Sequence, residues 1–176
     1  PEAFRAAMAA VGVSDRDHTT LVEASRLSGV PVVIVGKLPA ELASNLPPQV
    51  QVLSQGNYDL SFDRLLDLYN RARLVVVSHF GSAHPIGLNA VVEAMAMAKP
   101  LVLTRGPGVD IDPEQGGFGQ LVPAGDPNAL AQAMLDIFNA PHDTLLALGA
   151  QSRAAAEQHY NSHRMTDDLV AALQAM

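Results

Sequence analysis

The sequence predicts an α/β fold: a Rossmann-like parallel sheet of about six strands, with helices on both faces and further helices at the C-terminal end. Three observations carry this reading. Val30–Val35, Leu74–Val77 and Leu101–Thr104 are unbroken apolar runs of strand length, without the alternation expected of a half-exposed strand, so they suit strands buried on both faces. Helix-forming stretches with apolar residues at helical spacing, Leu60–Arg71 and Gly87–Ala98, lie between these runs. A strand, a loop, a helix and a second strand in that order form the right-handed crossover of a parallel sheet.

Taken in order, Ala7–Val13 reads as a small-residue first strand, and Ser14-Asp15-Arg16-Asp17 is a polar loop from which Asp17 or Thr19 can cap a helix running to Leu27. After the strand Val30–Val35, Gly36-Lys37-Leu38-Pro39 is a loop. A short helix over Ala40–Asn45 then ends before Pro47-Pro48. Val50–Leu53 is a short alternating strand, and Gln55-Gly56-Asn57 turns at its end. The helix over Leu60–Arg71 reads as structural core. Beyond the strand Leu101–Thr104, Arg105-Gly106-Pro107-Gly108 is a glycine-rich turn that lets backbone approach a ligand closely, with a fork-shaped cation beside it. Gly119–Val122 is a last short strand. Helices follow over Pro127–Asn139, Asp143–His159 and His163–Ala175.

The central stretch Pro85–Thr104 carries the chemistry. Free N–H groups around Gly87, Leu88 and Asn89 open the helix near the carboxyl end of a parallel strand, where open α/β sheets bind ligands, and such a helix end favours phosphate. Glu93 lies about one and a half turns further on and can accept hydrogen bonds from the two hydroxyls of a ribose. It reads equally as a solvated acid favoured by the helix dipole.

Composition narrows the classes. The chain has 176 residues, one domain by length, and 48% hydrophobic residues are ample for a buried core. Eleven basic against eighteen acidic residues give a net charge of −7, which argues against non-specific binding to nucleic acid or anionic lipid. There is no cysteine, hence no disulfide, thiolate metal site or cysteine nucleophile. No secretory signal and no apolar run of membrane-spanning length is visible, so the expected location is the cytoplasm, with membrane association only through parts outside this chain. The six histidines, His18, His79, His84, His142, His159 and His163, are scattered and read as surface residues, with His84 and His79 near the cleft. Asp110, Asp112 and Glu114 lack His or Cys companions, so no metal site is expected. No nucleophile elbow or Walker loop occurs, which removes triad hydrolysis and P-loop phosphoryl transfer.

The run Gly87–Pro100 with Glu93-Ala94-Met95-Ala96, then Val102-Leu103-Thr104, Pro107-Gly108, Asp110 and Gly119–Asp126, resembles the C-terminal, donor-binding half of retaining GT-B glycosyltransferases of the group 1 type. The likeness spans nearly the whole chain. It implies that residues 1–176 are the excised half of a longer protein, in keeping with a start at Pro1 rather than Met, and that an N-terminal acceptor domain of the same polypeptide is the partner. It also implies transfer of a sugar from a nucleoside-diphosphate donor, UDP- or GDP-linked, with no metal and no further cofactor. On this likeness Arg16 is the basic residue for the donor diphosphate, or else an exposed arginine paired with Asp15 or Asp17. Lys37 is a second cation for the phosphates, or a plain solvated lysine. Gln55, Gly56 and Asn57 face the nucleobase, or form a generic loop. The terminal helices pack back and reach towards the absent domain, with Leu169, Leu173 and Met176 partly between the two.

Two positions depart from the family pattern. The first of its paired glutamates falls at Pro85, leaving Glu93 alone; the neighbouring His84 can donate to a phosphate or sugar oxygen, or is a surface histidine. The glycine of the usual Gly-Lys-Pro is Ala98, read as a conservative loss. The departure at Pro85 motivates an alternative, a non-catalytic nucleotide-binding or interaction module on the same fold. A flavodoxin- or response-regulator-type domain is weaker, because no strand is followed by a phosphorylatable Asp with acidic partners.

Overall fold

A computed structural model of the chain describes residues 7–9, 16–54, 60–81, 83–84 and 87–175. The elements are β1 (Ala7–Ala9), α1 (His18–Ser28), β2 (Val32–Val35), α2 (Ala40–Ala43), β3 (Val50–Ser54), α3 (Phe62–Arg71), β4 (Val75–Val77), α4 (Leu88–Ala96), β5 (Leu101–Thr104), β6 (Gly119–Val122), α5 (Pro127–Phe138), α6 (His142–His159) and α7 (Ser162–Gln174). The strands form one six-stranded sheet in the order β3-β2-β1-β4-β5-β6. Every pairing is parallel, with Val32 opposite Val50, Val75 opposite Leu101 and Leu101 opposite Gly119.

The apolar runs are continuous because each strand feeds two cores. Val76 and Val102 join Leu21, Val22, Leu130 and Met134 in the layer under α1 and α5. Their neighbours Val75, Val77, Leu101 and Leu103 point the other way, into the layer of α3, α4 and α6 with Tyr69, Val91, Met95 and Ala156. A one-residue slip would exchange the two sets, so period-two geometry fixes the register although both faces are apolar.

Local chemistry sets the helix ends. Asp17 caps α1 by accepting from the Thr20 N–H at 2.9 Å, and Gly29 closes it in the left-handed conformation. Asp126 caps α5 ahead of Pro127, and Asn161 caps α7. Helix α4 ends in a Schellman motif, in which Lys99 N–H donates to the Ala94 carbonyl and Ala98 N–H to the Met95 carbonyl. That motif needs a left-handed residue, and Ala98 sits at φ 53°. The change from glycine is therefore not conservative, because a Cβ there works against the backbone. Helix α6 closes on this corner: a side chain at Gly149 would collide with the Ala98 carbonyl, and Arg153 donates to the Ala96 carbonyl.

Of the terminal helices, α6 packs back onto α4, but α7 has no buried residue, with Met165 69%, Leu169 58% and Leu173 63% exposed. No helix among the described residues is long and apolar enough to cross a membrane.

Two substitutions test the α4–α6 corner by chemical denaturation. Ala98→Gly should stabilise the domain by about 1 kcal/mol, by removing a strained left-handed alanine. Gly149→Ala should destabilise it by about 1–3 kcal/mol through overpacking, although alanine is the better helix former.

Candidate functional site

The sheet order reverses between β1 and β4, the kind of switch point at which open α/β sheets bind ligands, and residues 16–18 and 78–79 meet there. Just beyond, those segments are sewn together. Asp17 N–H donates to the Ser78 carbonyl at 3.2 Å, and Ser78 Oγ donates to the Asp17 carbonyl at 3.0 Å. Arg16 and His79 form an antiparallel bridge beside them. Asp17 and Ser78 are buried, so these bonds are shielded from water and hold Arg16 at the switch point.

Helix α4 opens into the same place. Its N-cap, Gly87, has φ 84°, and a methyl group added there would stand 2.7 Å from Val77 Cγ1 and 3.1 Å from Arg16 Nη1. The guanidinium therefore lies against the helix entrance. Gly87 offers no side-chain cap, and Leu88 and Asn89, both exposed, begin the helix. Uncapped first-turn N–H groups, the positive end of the helix and a cation converge on one spot, an arrangement suited to an anion.

Glu93 follows on α4, exposed, and Tyr69 Oη donates to its Oε2 at 2.9 Å. Tyr69 is 1% exposed. Burial pushes its phenol ionisation well above the ordinary value, Glu93 adds to the shift, and the Arg16 charge opposes it. The reading of this helix as core alone is thus corrected. Tyr69 is its one fully buried residue, and the phenol reaches the candidate site. The apolar spacing over Leu60–Arg71 gave no sign of this, since the partner lies on another helix.

The histidines need a second correction. His18 and His79 are buried, at 5% and 1% exposure. His79 Nδ1 accepts from the Gly81 N–H at 3.0 Å, and its ring packs so closely under Gly106 that a methyl group there would lie 2.6 Å from Cε1. His79 Nε2 is buried without a hydrogen-bond partner among the described residues. Burial lowers the His79 pKa, the Thr104 backbone opposes this, and Arg16 lowers it further. Burial, followed by Arg16, pushes His18 down to about 4, with Asp17 acting the other way.

The remaining candidates are spread more widely. His84 is exposed, and its carbonyl sits where any side chain at Gly108 would fall, so the loop before α4 lies on the glycine-rich turn after β5. Lys37 is exposed beyond β2, on the far side of β1 from β4, and no described contact joins it to Arg16 or Gly87. Arg105 stands 4.0 Å from Glu114, both exposed, a separation that contributes little. Asp112 is engaged by the Glu114 and Gln115 N–H groups. Gln55, Gly56, Asn57 and Pro85 lie outside the described residues.

The sequence profile of the glycosyl transferases of group 1 matches residues 16–140. A Salmonella typhimurium protein named as a colanic acid biosynthesis glycosyltransferase, WcaL, is 33% identical over 87 residues, which is 49% of this chain and 21% of that protein. Among solved structures, Anabaena HepE in complex with UDP matches 99% of this chain and 50% of its own, with TM-score 0.76 and 19% identity. Sucrose-phosphate synthase from Thermosynechococcus elongatus matches 97% of this chain and 46% of its own, with TM-score 0.74 and 23% identity. These likenesses establish the fold. This chain spans about half the length of the two structures and 21% of the curated relative.

The His18 environment sets a pH dependence. The unfolded chain binds a proton at this residue near 6.5, while the folded chain resists it to about 4. Stability from this source is complete above 6.5 and is lost as pH falls from there towards 4, by up to roughly 3 kcal/mol. Thermal denaturation of His18→Leu between pH 7 and 4 should show a shallower decline than the unmodified protein. Parallel slopes would remove His18 as the cause.

Proposed function

The chain belongs to the glycosyl transferases of group 1, whose profile covers residues 16–140, and from that membership we propose that it is the donor-binding half of a retaining glycosyltransferase. The observation that carries this reading is the Arg16 guanidinium lying against the glycine that opens α4. A cation and a helix N-terminus aimed at one point stabilise a diphosphate, and most of all one on which charge grows as the sugar leaves. In this reading Gly87, Leu88 and Asn89 offer backbone to the diphosphate and Arg16 supplies positive charge there without a metal, while Lys37, beyond β2, adds charge only at longer range. Glu93 accepts from the ribose, Gln55 to Asn57 face the base, and His84 stands near the sugar.

The donor is a uridine or guanosine diphosphate sugar. HepE, of the same fold, is known in complex with UDP, which favours uridine. The acceptor site belongs to an N-terminal domain of the same polypeptide, so the present half alone transfers little or nothing. Retention of anomeric configuration rests on the family likeness. Pro85 supports a second reading, a nucleotide-binding module that transfers no sugar, because the acid expected at that position is missing.

Calorimetric titration of the full-length protein with UDP and GDP tests the site. One of them should bind, and Arg16→Ala and Glu93→Ala should each weaken binding about tenfold or more, with the Arg16 effect shrinking at high salt. No binding to the intact protein, or unchanged binding in both variants, overturns the proposal. Binding without transfer from any sugar donor selects the second reading.

A further inference from the structure

A carboxylate that selects ribose must be held still. Glu93 projects from an exposed helical position on a long, rotatable side chain, and only one described group fastens it. That group is Tyr69. Its ring belongs to the same core layer as Val91, Ala94 and Met95 of α4, so it cannot swing away without opening the core. Its one polar atom emerges at Glu93 and donates to Oε2 at 2.9 Å. We infer that Tyr69 is a positioning residue for the ribose contact, its phenol fixing the Glu93 carboxylate so that the second oxygen is presented to the sugar hydroxyls. This rests on the nucleotide-binding reading above.

The division of labour follows from the chemistry of the two groups. The phenol is held in its protonated form by burial and by Glu93, so it stays a donor at any pH the protein meets. A carboxylate has about four acceptor positions, and one bond to Oε2 leaves the others for a diol. The bond also ties the C-terminal turn of α3 to the second turn of α4, so the hook and the anion-binding helix end move as one body. If Tyr69 merely satisfied its own buried hydroxyl, its loss would lower stability without touching ribose recognition.

The experiment compares binding of UDP and GDP with that of their 2′,3′-dideoxy counterparts to the full-length protein by calorimetry. The readout is the ratio of the dideoxy to the ribonucleotide Kd, which is independent of the fraction of protein that is folded. Tyr69→Phe keeps the ring and deletes the donor. It should weaken ribonucleotide binding about five- to tenfold and leave dideoxy binding unchanged, so the ratio falls towards one. In a Glu93→Gln background the same change should have no further effect. An unchanged ratio in Tyr69→Phe, or an equal effect on both ligands, overturns the inference while leaving the nucleotide site standing. Equal binding of the two ligand types by the unmodified protein, or no binding of either, removes the ribose role of Glu93 and this inference with it.

Discussion

The seam between the loops that leave β1 and β4 is the constraint on which the site depends. Beyond the carboxyl ends of two paired strands the backbone has no ladder partners, and here residues 16–17 and 78–79 satisfy one another through Asp17, Ser78 and the Arg16–His79 bridge. Asp17 does double duty, pairing its backbone across the seam and capping α1 with its side chain. Buried hydrogen bonds of this kind are costly to break, because each broken partner is left without water. The guanidinium at the mouth of α4 is held in register by this seam.

The same seam couples several groups that are far apart in the chain. Arg16 acts electrostatically on His18, on His79 and on Tyr69, which lie on three different elements. Burial, with Arg16 adding to it, holds both imidazoles below their ordinary pKa, and that preserves His79 Nδ1 as the acceptor for the Gly81 N–H. The positive charge beside the start of α4 therefore rests on Arg16 and the helix end, and is not shared with His18 or His79.

Much of the fold was readable in the residues, and the reasons are specific. The β4 and β5 runs name buried parallel strands because no half-exposed strand could afford three or four consecutive apolar side chains, and Asp17 marks the start of α1 by local chemistry alone. The start of α4 was equally legible, since glycine ahead of a helix-forming run is a local signal. What the sequence hid is what depends on distant partners. His18 and His79 look like surface residues until the seam buries them. Tyr69 looks like another core residue until α4 is laid beside α3, and Ala98 looks harmless until the left-handed turn is seen. Each is a tertiary override of a correct local pattern.

The closeness of Arg16 to the start of α4 has one more consequence. A guanidinium and the positive pole of a helix both raise the local potential, so on the proposed reading this corner is where the charge of a diphosphate counts most. Simple dianions in a buffer share this chemistry. If the proposed diphosphate site is correct, inorganic phosphate or sulfate would compete for it and mask the affinity for a larger ligand.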